Sequence, residues 1–145
     1  MGYHIDLLDD LVNGNVTDDL IKIKENFLEL NDSRIVEHNL NILSPSNGYY
    51  VRWENGLQVC FYESELIAFD FNNNGLYAGS KIWRYPASFI SPPKINVTGA
   101  VNSGSGGIVG GQYKLPTITF GYLWGANPQS GTDGYLYAIA IGRWK

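Results

Sequence analysis

Tyr49-Tyr-Val-Arg-Trp-Glu-Asn-Gly-Leu-Gln-Val-Cys-Phe-Tyr62 is the stretch that decides the fold of this chain. Asn55-Gly56 favours the positive φ values of a tight hairpin turn, and the runs on either side are rich in the aromatic and β-branched residues that suit a pleated surface. The pattern predicts Tyr49–Glu54 paired with Leu57–Tyr62, with Val51 and Trp53 set to face Leu57, Val59 or Phe61.

Working outward, everything after this hairpin also has strand character. Leu66–Phe71 reads as a third strand closed by Asn72-Asn73-Asn74-Gly75. Leu76–Tyr85, Lys94–Val101, Tyr113–Leu123 and Tyr135–Trp144 follow. About seven strands at such spacing predict an antiparallel β-sandwich. A closing strand that reaches almost to the last residue has to be paired within a sheet. Two long loops, Asn102–Gln112 and Gly125–Gly134, are dense in glycine and polar residues. Both are expected to join neighbouring strands of one sheet, with their tips at one end of the head.

Upstream the period changes. Val16, Leu20, Ile23, Phe27 and Leu30 recur at alternating intervals of four and three, the spacing of a coiled-coil seam, and Ile21 and Leu28 widen it. Thr17 suits an N-cap, Asp18 and Asp19 suit the positive end of the helix dipole, and Asn31-Asp32-Ser33 ends the helix. Two heptads cannot sustain a free-standing coiled coil, so the stripe must be covered by the same chain, by sister chains or by another protein; the expectation is sister helices packed about a threefold axis. Arg34–Leu43 fits neither period and reads as a connector. Ser44-Pro45-Ser46-Asn47-Gly48 is a break that sets the domain boundary. The expected fold is therefore mainly β: a short α-helical segment over 1–43, then an antiparallel β-sandwich head over 44–145, trimeric.

Composition narrows the function. Of 145 residues, 17% are charged and 14% aromatic, so the head is poor in charge and rich in large planar side chains, as suits surface that a partner covers. A net charge of −4 with no cluster of Lys or Arg argues against nucleic acid, whose binding rests on neutralising phosphates. Cys60 is the single cysteine, which excludes an intrachain disulfide and a cysteine zinc site, and its apolar surroundings predict a buried thiol. The start of the chain lacks a basic and then apolar signal pattern, so no secretion is expected and the matches to the glycosylation pattern at Asn15, Asn31 and Asn96 are taken as silent. No apolar run approaches the roughly twenty residues that a membrane helix needs.

Sequence motifs for chemistry are absent or weak. Gly104-Ser-Gly-Gly-Ile-Val-Gly-Gly111 lacks the Gly-Lys-Ser/Thr ending of a phosphate loop and opens a strand, not a helix. His4 and His38 have no metal-ligand spacing, and no metal or cofactor is expected. Asp9/Asp10 and Asp18/Asp19 are better explained by capping and solvation than by acid–base work. The head's acids are Glu54, Glu63, Glu65, Asp70 and Asp133, and no catalytic residue is assigned among them. Tyr122, Trp124 and Tyr135 suit stacking on sugar faces, although aromatics in strands more often fill a core or a seam between subunits. Tyr122, Trp124 and Asp133 are the candidate receptor-binding residues.

Several blocks together resemble a known family. Asn13-Gly-Asn-Val-Thr-Asp-Asp-Leu-Ile21 followed by Asn26-Phe27-x-x-Leu30-Asn31 resembles the anchoring motif of bacteriophage tail-fibre and tail-associated proteins. Asn47–Cys60 is similar to the first hairpin of tail-fibre head domains. Trp83-Arg-Tyr-Pro-Ala-Ser-Phe89 through Val97 resembles their next block, and Ala138-Ile-Ala-Ile-Gly-Arg-Trp144 resembles their last strand. The resemblance implies a homotrimeric virion protein of the phage tail, made in the host cytoplasm. Its N-terminal segment would attach to other tail or baseplate proteins, and its head would contact host-surface polysaccharide. The long shaft of a typical fibre is missing, which leaves a short fibre, a baseplate tip or an adaptor. A tail-associated glycan-degrading enzyme is the alternative; the expectation is that the chain is not an enzyme.

Overall fold

A computed structural model describes residues 20–24 and 34–145. Ten strands follow one another: β1 (Ile35–His38), β2 (Tyr49–Trp53), β3 (Leu57–Glu63), β4 (Ile67–Phe69), β5 (Phe71–Asn73), β6 (Leu76–Arg84), β7 (Lys94–Ser103), β8 (Val109–Gln112), β9 (Phe120–Asn127) and β10 (Thr132–Arg143). Every pairing between them is antiparallel. They form two sheets: sheet A holds β1, β2, β3, β10, β4 and β7, and sheet B runs β5-β6-β9-β8. The protein is thus mainly antiparallel β, and residues 20–24 are helical.

The hairpin of β2 and β3 forms as expected, with Val51 directly opposite Val59 and Tyr49 opposite Phe61. The Gly56 N–H donates to the Trp53 carbonyl at 3.0 Å, closing a turn in which Gly56 takes φ 94°. That conformation is the reason for glycine here. The closing strand is held to this turn. Trp144 Nε1 donates to the Trp53 carbonyl, and its backbone N–H donates to that of Gly56 at 2.9 Å.

Strand β10 organises sheet A. Asp133–Ile141 of it lie beside β7, while β3 and then β4 share its other edge. Ser64 fills the gap between those two: its N–H donates to the Leu136 carbonyl, and its buried hydroxyl accepts from the Leu136 N–H, each at 2.8 Å. One hydroxyl thus stands in for a missing ladder carbonyl.

The core lies between the sheets. Tyr62 of sheet A stacks on Trp83 of sheet B with centroids 5.2 Å apart, and Trp83, Tyr85 and Phe89 continue as two edge-to-face pairs. The Trp83 indole donates to the Asn47 carbonyl at 2.8 Å, so the largest buried side chain keeps its polar edge satisfied. Phe69, Leu123 and Leu136 complete the centre.

Four expectations are corrected. The stretch Arg34–Leu43 contains β1, which pairs with β2, so β structure starts ahead of the break at Ser44–Gly48. The third strand is two, because at Asp70 the chain leaves sheet A for sheet B; Phe69 is buried while Phe71 is exposed. The strand placed over Tyr113–Leu123 starts only at Phe120. Pro116 cannot donate to a ladder, and the Thr117 hydroxyl captures the N–H groups of Thr119 and Phe120 in a turn. Finally, the two long loops do not join strands of one sheet: β7 to β8 crosses from A to B, and β9 to β10 crosses back.

Candidate functional site

The two loop crossings meet through Asn127, the last residue of β9, which is completely buried. Its Nδ2 donates to the carbonyls of Ser105 at 3.1 Å and Gly107 at 3.0 Å, and its Oδ1 accepts from the Gln129 N–H at 2.7 Å. The Ser105 hydroxyl donates to Gln129 Oε1. Gly104, at φ 102°, lies so close to Thr132 that an added Cβ would come within 2.5 Å of its methyl group. One amide therefore fastens both loops, and together they form one rim of the sandwich.

Asp133 belongs to that rim. Its Oδ1 accepts from the Ser103 hydroxyl at 2.8 Å, the Ser103 N–H at 2.9 Å and the Asn102 amide at 3.4 Å. The Ser103 hydroxyl is the main cause holding this carboxyl below its ordinary range. One carboxylate oxygen thus ties β10 to the end of β7.

Tyr122 and Trp124 stand elsewhere, two residues apart on β9 and so on the same, outer face of sheet B. Lys114 Nζ lies 5.0 Å from the Tyr122 ring centroid, and Tyr113 meets that ring edge-on at 5.6 Å. Trp124 borders a cup of about 210 Å³ whose other aromatic walls are Phe71 and Tyr113 and whose floor is Ala78, Gly79 and Ser80. Phe71 and Tyr113 were not singled out by sequence. For Phe71 there was no signal to read: two residues from buried Phe69 it would share that side of a continuous strand, and only the change of sheet at Asp70 turns it outward.

The outer face of sheet A is apolar as well. Phe61, Tyr137, Ile139 and Ile141 project outward and are exposed, while Ala138 and Ala140 of the same strand point inward. A larger groove, about 790 Å³, opens beside this face between Pro45, Tyr49, Phe61, Glu63, Tyr137 and Ile139. Glu65, also on its lining, is ion-paired with Lys81 at 2.7 Å, and that hydrogen bond is the main cause lowering its carboxyl.

Of the helical stripe, Leu20 is half exposed and Ile23 half-buried; Val16, Phe27 and Leu30 lie outside the described residues. Cys60 is buried, and burial pushes its thiol up to about 12. Among the described residues no group of three or more His, Cys, Asp or Glu is placed to hold a metal ion. Among them, too, no helix is long and apolar enough to cross a membrane.

No family model matches the sequence, and no curated protein matches it. A solved structure does match in fold: the C-terminal part, residues 323–701, of the R1 pyocin fibre of P. aeruginosa. The TM-score is 0.50 at 13% identity, covering 68% of this chain. This chain spans 27% of that one. The protein has a β fold like that of part of a pyocin fibre.

Proposed function

We propose that this chain is a structural protein of a phage-type tail, a short fibre or baseplate-associated tip that works as a homotrimer in the virion. In this reading its N-terminal segment joins other tail or baseplate proteins, with Val16, Leu20, Ile23, Phe27 and Leu30 packed about a threefold axis. The head contacts host-surface polysaccharide. The observation that carries the reading is a fibre-like sandwich whose two outer faces are both apolar and exposed. Antiparallel sandwiches in solution place polar residues at those positions, so such faces mark contact surfaces. The half-exposed Leu20 supports the helical part.

For the receptor, support comes from the aromatic face of sheet B and the polar loop rim. Trp124 and Tyr122 offer planar surfaces to a sugar ring, and the Asp133 oxygen not engaged by Asn102 and Ser103 offers an acceptor to sugar hydroxyls. Each such contact contributes on the order of 1 kcal/mol, so three copies are needed for firm attachment. Sedimentation of the purified chain tests the assembly: the expected mass is three times 16.1 kDa, and a monomer at micromolar concentration rejects it. Trp124→Ala and Asp133→Ala test the receptor role, with adsorption to host cells expected to fall in both. Unchanged adsorption in both leaves the head purely structural. A saccharide-release assay on host envelope separates this reading from a glycan-degrading enzyme.

A further inference from the structure

Strand β10 is built the wrong way round for a sandwich that faces water. Its inward side chains are Leu136, Ala138 and Ala140, while the larger Tyr137, Ile139 and Ile141 point outward. The outward three are exposed by 37%, 43% and 49%. On the neighbouring β3 the outward Phe61 sits directly opposite Ile139, and Val59 opposite Ile141. A strand apolar on both sides is the pattern of one covered on both sides.

The four strands β2, β3, β10 and β7 lie side by side here. At a spacing of about 4.8 Å and a rise of about 3.4 Å per residue over the length of β3, they present a face of roughly 450 Å². That is the scale of a functional patch on a protein surface. Its charges are divided: Glu63 lies beside Tyr137 at one end, and Lys94 and Arg143 lie beside Ile141 and Leu57 at the other. A partner of uniform charge would be repelled at one end. In a closed ring of three copies the Glu63 end of each face meets the Lys94 and Arg143 end of the next, and none is repelled.

We infer that copies of this chain meet one another through the outer face of sheet A, around Phe61, Ile139 and Ile141, so that the head itself holds the assembly together. The inference rests on the reading that the chain self-associates, and it assigns that association to the sandwich in addition to the helical stripe. The outer face of sheet B, with Trp124 and the cup beside it, stays on the outside.

Two variants of the full chain test this. Ile139→Glu places a charge at the centre of the face while leaving the core untouched, and it is expected to sediment as a monomer at micromolar concentration with its β-type circular dichroism kept. Thr98→Cys puts a thiol on the exposed side chain opposite Tyr137, and treatment with bismaleimides of graded length is expected to give covalently joined chains. Cys60 is fully buried and contributes no crosslink in the folded protein. Adding Ile139→Glu to Thr98→Cys should abolish the joined species. A trimeric mass for Ile139→Glu, or no joined chains at any linker length, overturns the inference while leaving self-association intact. A monomeric unmodified chain overturns both.

Discussion

Replacing Asn127 by alanine removes the single amide that fastens the two loops of the rim. Three hydrogen bonds are lost, to the carbonyls of Ser105 and Gly107 and from the Gln129 N–H, at 3.1, 3.0 and 2.7 Å. Each contributes about 1 kcal/mol net, giving roughly 3 kcal/mol. Ser105, Gly107 and Gln129 are exposed, so water replaces part of the loss and about 2 kcal/mol is the better figure. For a domain of this size that lowers the melting temperature by about 6–10 °C. Calorimetry reads that shift, and amide exchange should accelerate in both loops together.

Asn127→Asp sharpens the test. It places a carboxylate against two carbonyl oxygens, which raises its folded pKa above the unfolded value of about 3.9. Such a group is stabilising only while protonated, so the variant's deficit should be small below the unfolded pKa and grow as pH rises through the folded one. A melting temperature for Asn127→Ala within about 2 °C of the parent, or exchange that quickens in one loop alone, would refute the shared fastening.

Other outcomes follow from the same structure. Removing residues 1–33 should leave the sandwich folded, whereas removing 1–43 also takes β1, the Glu37 carboxylate that accepts from Tyr50 at 2.6 Å and pairs with Arg52, and the Asn39 side chain that bonds Gly48 and Tyr50. Circular dichroism should show the shorter product melting several degrees lower; identical curves would mean β1 contributes nothing. Cys60, with its thiol pushed up to about 12 by burial, should resist a soluble maleimide at neutral pH until denaturant is added, and prompt labelling would contradict its placement in the core. Glu37 is lowered chiefly by the Tyr50 hydrogen bond, Glu65 by that from Lys81 and Asp133 by that from Ser103. Depressed carboxylates support the fold above their unfolded pKa and lose that support as pH falls through the folded pKa, so thermal melting should decline on acidification below about pH 4, and a flat profile would argue against these contacts.

Much of the β architecture was legible in the residues because it is local. Asn55-Gly56 between two aromatic and β-branched runs specifies a hairpin through its own dihedral preferences, and the register came out with Val51 opposite Val59. The buried state of Cys60 and the paired closing strand were legible for similar reasons. Which sheet each strand joins was not. The alternation of Phe69 and Phe71 runs unbroken through Asp70, where the chain changes sheets, since a period of two records facing but not partners. Asn127 gave no signal either: an asparagine before a proline reads as turn chemistry, and only the meeting of two crossings, contributed by residues 20 or more positions apart, makes it a fastener. For the candidate site, Tyr122 and Trp124 shared a face by spacing alone, yet Asp133 fell in the other sheet. The apolar outer rows of Phe61, Ile139 and Ile141 were visible as letters without a direction. Sequence determines how side chains alternate; only the packing of one sheet on the other decides which of two apolar faces becomes the core, because burial is a property of what lies across the gap.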